Sequence, residues 1–282
     1  MTTGTLYIVA TPIGTLGDFS PRAKEILSHV SFIACEDTRH SGNLLSHFGI
    51  KSQLESLHVH NEKNKSSYLI EKLLNSPNKC AAIITDAGTP CISDPGSLLI
   101  AEAHKHGILI QSIPGPSSMS SALAACGFIQ PRSIFSGFLG RTQKEQFEEF
   151  NRWKAISPCI AVFFESPKRL INSLKNLNEF FLDQEIFICV SREISKKFEE
   201  HKTGNIKNVL NYFSNQNEIQ GEFAICVNIL AEEKKEISLQ DAAIEALILV
   251  QQGMQLKLAC KNIAQKHNLN AKDIYNESIK KP

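Results

Sequence analysis

The chain of 282 residues is 42% hydrophobic and 21% charged, a globular composition that excludes an intrinsically disordered chain and leaves room for two domains and a small appendage. Thirty basic against 29 acidic side chains leave a formal charge of +1, so no global field draws the protein to nucleic acid or to an anionic membrane, and any RNA contact has to use a local patch. No apolar run is long enough to span a membrane and MTTGTLYIVATPIG is not a basic-then-apolar leader, so cytoplasmic residence is expected, with no membrane partner.

Strand and helix signals alternate through the first half. LYIVA (6–10) reads as a short apolar strand, and after a loop with Gly14 and Gly17 comes SPRAKEILSHV, where Ser20 can cap a helix and Pro21 occupies its first turn. FIAC (32–35) is a second strand, and the Leu44, Leu45, Phe48 spacing after EDTR suits a helix with one buried face. LHVHNE places His58 and His60 on one face of an extended segment, but no third ligand stands at a typical spacing and no metal site is expected. A helix over 65–74, the strand CAAIIT (80–85), a helix over 97–107 closed by glycine and the strand ILIQSI (108–113) complete a βα rhythm. That rhythm means a mostly parallel sheet with helices on both faces and ligands gathered at the loops after strand C-termini.

The rhythm changes through PGPSS (114–118), and RSIFSGFLG opens a second set: a helix over 143–155, the strand CIAVFFE (159–165), a helix over 167–178, the strand EIFICVS (185–191), the charged segment REISKKFEEHKTG, a helix over 205–214 and the strand EFAICVNIL (222–230). This reads as a second α/β domain containing some antiparallel pairing. AEEKKEI (231–237) reads as a charged linker, and the remainder as helices near 239–251, 255–266 and 271–280, the first capped by Ser238 with Asp241 and the last two joined by HNLN as in a helix-turn-helix. The expected domains are 1–117, 118–232 and 238–282. Residues 261–282 carry five lysines against two acids, so the tail is either a structural or dimer-supporting element or an RNA contact. The eight dispersed cysteines (35, 80, 91, 126, 159, 189, 226 and 260) contain no C-x-x-C and read as buried free thiols.

In AIITDAGTPCISDPG (82–96), Asp86 directly follows a buried strand, where its carboxylate can accept from a hydroxyl, an amine or loop amides, and Gly88 lets a ligand approach the backbone. Asp94, Pro95 and Gly96 turn the chain into the next helix, for which Asp94 reads as a cap. TPIGTLGD (11–18), EDTR (36–39) and PGPSS share the placement of this loop. None is a dinucleotide fingerprint or a nucleoside-triphosphate phosphate loop. Glu36, Asp37 and Arg39 crowd the same edge, either as a salt network or as functional groups.

LYIVATPIGTLGD, EDTRHSG, HNE, DAGTP with ISDPG, PGPSS, FESPKR and REISK with FEE occur in an order that closely resembles the ribosomal RNA small subunit methyltransferase I family, within the tetrapyrrole methylase-like superfamily, over residues 6–280. The resemblance implies two α/β domains of the tetrapyrrole methylase type with a cofactor cleft between them, plus a small C-terminal helical domain. It implies S-adenosylmethionine as cofactor, 16S rRNA of the small ribosomal subunit as partner, the ribose 2'-oxygen of cytidine 1402 as methyl acceptor, and a homodimer. Carried over residue by residue, it assigns cofactor binding to Pro12, Gly14, Asp86, Ala87, Gly88, Thr89, Pro90, Pro116, Ser117, Phe164 and Glu165. The chain departs from the family pattern at Thr15, where asparagine is common, at Ser97, where an aromatic is frequent, and at Gly140, where G-F-L-P is usual.

Methyl transfer from a sulfonium is an in-line displacement in which positioning is the main task, and a ribose hydroxyl needs a base or a cation to assist loss of its proton. Lys196, Glu36, Asp37 and Glu193 are the catalytic candidates, Lys196 acting as a base only if desolvation or a neighbour such as Arg192 keeps its amine partly neutral. Arg39, Arg169, Arg192 and Lys197 are candidates for holding RNA phosphates. Two other readings stay open on the sequence: a methyltransferase acting on a corrin-like or porphyrin-like macrocycle, and a non-catalytic RNA-binding or ribosome-assembly factor.

Overall fold

A computed structural model describes residues 4–231, 237–267 and 269–280; most of the charged linker and Asn268 of the HNLN turn lie outside the described residues. The chain divides into two compact units, 1–230 and 231–282.

The larger unit holds two five-stranded sheets. The first is built from β1 (Thr5–Val9), α1 (Pro21–His29), β2 (Phe32–Cys35), α2 (Thr38–His47), β3 (Leu54–Ser56), α3 (Glu62–Asn75), β4 (Cys80–Ile83), α4 (Ser97–Lys105) and β5 (Leu109–Ile113). Its strands run parallel in the order β3-β2-β4-β1-β5. Alternation along β1 explains the layering: Leu6 packs beneath α3 and α4 with Leu69, Leu73 and Leu99, while Val9 joins Phe19, Leu27 and Leu45 beneath α1 and α2. Ser20 caps α1 as expected, accepting from Ala23 N at 3.0 Å, with Pro21 in the first turn.

One local expectation fails here, and one strand lies outside the expected elements. LHVHNE is not extended: His58 and His60 lie in a turn in which Asn61 Oδ1 accepts from His58 N, and α3 begins already at Glu62. The three-residue strand β3 is too short to show a periodicity and exists through its pairing with β2.

After α5 (Ser118–Ala125), the second sheet uses β6 (Ser133–Phe138), α6 (Gln143–Ala155), β7 (Cys159–Glu165), α7 (Pro167–Phe180), β8 (Phe187–Arg192), β9 (Glu200–Asn205), α8 (Ile206–Ser214) and β10 (Phe223–Ile229). Its order is β6-β7-β10-β8-β9, with only β6 and β7 parallel. β9 falls inside the charged segment that sequence reading leaves without a strand; as an edge strand it tolerates Lys202 and Glu200. One face of this sheet buries Trp153, Phe150, Phe163 and Leu174 against α6 and α7, and the other buries Cys126, Cys189 and Cys226 near α5. Each such fully buried large side chain contributes roughly 1.5–3 kcal/mol. All eight cysteines are free, six of them buried.

The smaller unit consists of α9 (Leu239–Gln251), α10 (Leu256–His267) and α11 (Ala271–Ser278) around Ala246, Cys260, Ile263 and Ile274. Ser238 caps α9 by accepting from Asp241 N at 3.0 Å. No helix among the described residues is long and apolar enough to cross a membrane.

Candidate active site

Three loops at the C-terminal edge of the first sheet are tied to one another by backbone. Thr11 and Gly88 exchange two hydrogen bonds, of 2.9 and 3.1 Å, and Thr11 Oγ1 donates to Thr85 O at 3.0 Å. Thr89 Oγ1 donates to Pro116 O at 3.1 Å, joining the DAGTP loop to PGPSS. Gly88 sits at φ +93°, a conformation that favours glycine, and a Cβ there would lie 3.3 Å from Ile13 Cγ2, a tight contact.

These loops and the facing strands of the second sheet enclose a cavity of about 360 Å³. Asp86, Ala87, Gly88, Thr89, Ser117, Phe164 and Glu165, all assigned from the sequence, line it. Pro12, Gly14, Pro90 and Pro116 do not line it; Pro12 and Pro90 are buried supports of the loops, and Pro116 contributes the carbonyl that Thr89 uses. Ile92, Asp94, Phe138, Ile194, Glu222 and Phe223 line it without having been assigned. Phe138 packs edge-on to Phe164 with ring centroids 5.7 Å apart.

Among the described residues the lining holds four acids, Asp86, Asp94, Glu165 and Glu222, and no lysine, arginine or histidine. A wall of acids and aromatics without a cation disfavours a phosphate-bearing ligand and suits a ligand that combines an aromatic ring with positive charge. A nucleoside carrying a sulfonium has that composition, so the residues present fit S-adenosylmethionine. Glu165 already has internal partners: its buried carboxylate accepts from Ser173 Oγ at 2.6 Å and Ser166 N at 2.8 Å, and Arg169 Nη2 lies 3.3 Å away.

Asp94 departs from expectation. The cap of α4 comes from Glu62, whose Oε1 accepts from Gly96 N at 2.8 Å and Leu98 N at 2.7 Å, so the Asp94 carboxyl is left at the cavity. Burial, then the charges of Glu36 and Asp86, push it up to about 6. Glu36 is raised in the same way, by burial and then by Asp86. The buried Thr85 hydroxyl, which has no hydrogen-bond partner of ordinary geometry, stands beside both carboxyls and offsets part of the rise.

Asp37 is committed to capping α2 and pairing with Arg39. It accepts from Arg39 N at 2.8 Å and His40 N at 3.3 Å, and the Arg39 guanidinium with these amides pulls it down to about 2. Arg39 pairs with it at 3.1 Å yet remains largely exposed. Arg169 is a brace rather than a free cation: its Nη2 donates to the carbonyls of Leu139 and Gly140 at 2.7 and 2.8 Å. Gly140 itself admits no larger residue here, since a Cβ would lie 2.3 Å from Glu145 Cβ. Arg192 is likewise engaged, its Nε donating to Gln220 O at 2.7 Å and its Nη1 to Gln216 at 3.3 Å. Lys197 is exposed, with its ammonium 5.4 Å from the Phe198 ring.

Lys196 is not part of the cavity lining, but its ammonium lies 3.1 Å from the lining Glu222 and 3.0 Å from Glu193. Burial alone would lower its pKa, but the two carboxylates outweigh burial and raise it, so the condition for a neutral amine base is not met and Arg192 does not supply it. Burial would raise Glu193, but the Lys196 ammonium and the Glu222 backbone amide, which donates to it at 2.9 Å, lower it. The loop carrying them is braced by the first loop: Thr15 Oγ1 donates to Ser195 O at 2.6 Å, and Ser195 Oγ donates to Asp18. Thr15 therefore has a bonding role of its own. Gly14 is the contact point, because a Cβ there would lie 2.6 Å from both Lys196 Cγ and Ser195 O.

A profile of the family Tetrapyrrole (Corrin/Porphyrin) Methylases matches residues 5–210. The chain is 36% identical over 277 residues to "Ribosomal RNA small subunit methyltransferase I" of Haemophilus influenzae, covering 97% of this chain and 95% of that protein. The protein of the same name from Pasteurella multocida is 38% identical over 275 residues, with 97% and 96% covered. Among solved structures, a diphthine synthase aligns with TM-score 0.59 at 14% identity, covering 81% of this chain and 90% of that one. A uroporphyrin-III C-methyl transferase from Thermus thermophilus, complexed with S-adenyl homocysteine, aligns with TM-score 0.56 at 16% identity over 79% and 97%. At these identities the structures share the fold.

Proposed function

Because the chain belongs to the ribosomal RNA small subunit methyltransferase I family, we propose that its cavity is the cofactor site of an S-adenosylmethionine-dependent enzyme that methylates the ribose 2'-oxygen of cytidine 1402 in 16S rRNA. The observation that carries this reading is the acid-walled, cation-free cavity formed at the family's own loops.

When bound, S-adenosylmethionine supplies an electrophilic methyl group on a sulfonium sulfur. Asp86, the loop backbone around Gly88 and Ser117 would hold the cofactor from the first sheet's side, with Phe164 of the second sheet facing them, and the acid wall would offset positive charge. Lys196, as an ammonium, stabilises the oxygen as it loses its proton, and Glu193 with Glu222 orients it. Glu36 lies outside the cavity lining but next to the lining Asp86 and Asp94; burial and then the Asp86 charge raise its pKa, which makes it our candidate proton acceptor. Arg39 and Lys197, both exposed, supply charge for RNA phosphates. The assembled small subunit, a homodimer, cytoplasmic residence and lobes bounded at 1–117, 118–232 and 238–282 belong to the same proposal. The near-neutral net charge, which favours recognition of shape over bulk attraction, supports the assembled subunit as substrate, and the two-sheet layout supports the division near 117.

Incubation with labelled S-adenosylmethionine and undermethylated small subunits, followed by mass spectrometric mapping, tests the reading. A methyl group on the ribose of cytidine 1402 is expected; transfer elsewhere, or none, refutes it.

A further inference from the structure

We propose that Phe198, together with Lys197, is a stacking platform for an unpaired base of the RNA substrate. The inference rests on the reading of this protein as an rRNA methyltransferase. Phe198 is 70% exposed, more than the other exposed phenylalanines among the described residues, Phe138 at 57% and Phe187 at 40%. It lies on the turn between β8 and β9, and that turn is held in place. Ser195 is tied to Thr15 and Asp18 on one side, and on the other Glu199 accepts from Ser195 N at 2.8 Å and pairs with His201 at 2.8 Å. Glu193 and Ser195 adopt φ of +51° and +65°, conformations a non-glycine residue holds only when its surroundings enforce them. A braced and strained turn that leaves a large ring in water presents that ring at the expense of its burial.

The surroundings select the occupant. Along the chain Lys196, Lys197, Glu199, Glu200 and His201 flank Phe198, so this segment offers one apolar side chain among charges, far too little for a protein or membrane surface. A nucleotide needs what is present: a π face for its base, and cations beside it for its phosphate. The Lys197 ammonium sits over the ring, 5.4 Å from its centroid, and Lys196 on the same turn pairs with the cavity-lining Glu222 at 3.1 Å. Stacking at Phe198 therefore holds a splayed strand beside the position where a ribose enters the site.

The test uses the full chain with Phe198→Ala, Phe198→Leu and Phe198→Trp. The alanine and leucine variants are expected to lose roughly 5- to 100-fold in affinity for undermethylated small subunits, the range for one stacked base, with cofactor affinity by calorimetry and melting temperature unchanged. Leucine keeps the apolar surface without the π face, so a leucine variant that binds as tightly as wild type overturns the proposal. Phe198→Trp is expected to retain affinity, and its fluorescence to be quenched by a short single-stranded RNA. The chain has one native tryptophan, Trp153, and it is fully buried, which leaves the new signal readable. Unquenched emission, or undiminished RNA affinity of Phe198→Ala in a protein that methylates small subunits, overturns this inference alone. A wild-type protein that binds no RNA overturns the functional reading and this inference with it.

Discussion

Replacing Asp94 by asparagine should stabilise the protein at neutral pH. The carboxyl is partly buried beside Glu36 and Asp86, and its pKa stands at about 6 against an ordinary 3.8. Withholding ionisation over that interval corresponds to roughly 3 kcal/mol, which solvent screening at a partly exposed position reduces to about 1–2 kcal/mol. Between pH 3.8 and 6 the folded state binds more protons than the unfolded one, so the wild type loses stability as pH rises through this window and carries the whole penalty above it. Asp94→Asn, nearly isosteric and neutral, should therefore melt about 2–8 °C higher at pH 7.5. The gain should shrink steadily as pH falls from 6 towards 4. Thermal denaturation followed by circular dichroism at several pH values measures both features. A variant that melts lower at pH 7.5, or whose gain does not depend on pH, refutes the argument and returns Asp94 to a structural role.

Glu62→Ala should cost about 2–3 kcal/mol and lower the melting temperature, because two amides at the start of α4 lose their acceptor; an unaltered melting curve would rule out Glu62 as the cap. Asp86→Ala should weaken S-adenosylmethionine binding in calorimetry by on the order of tenfold or more, and undiminished affinity would displace the DAGTP loop from the cofactor site. Lys196→Ala should keep cofactor affinity while single-turnover methyl transfer falls by about 10²- to 10³-fold, and unchanged turnover would remove Lys196 from the catalytic group.

Local chemistry made much of the fold legible. The Ser20–Pro21 start of α1, the Ser238 cap of α9 and the apolar runs of β1, β2, β4, β7 and β10 are properties of adjacent residues, and each lies close to where the pattern places it. β3 and β9 were not legible, since one is three residues long and the other is charged, and both exist through pairing with a neighbouring strand. In the site, the loops that face the cavity carry the family's motifs, but Ile194, Glu222 and Phe223 enter it from strand ends and turns with no motif of their own beyond REISK and a glycine before an acid.

What the sequence determined by itself is which segments form elements, which loops follow strands, and which family the ordered motifs resemble. What only the tertiary structure decided is the ionisation and duty of each charged group. Asp94 sits two residues before the N-cap position Gly96 yet does not cap the helix, because Glu62, 34 positions from Gly96, reaches the amides first. Lys196 is held as a cation by Glu222, 26 positions away, and its loop is braced by Thr15 at a separation of 180. Hydrogen-bond partners and electrostatic fields act through space, so a carboxylate's role is set by neighbours that its own stretch of chain does not contain.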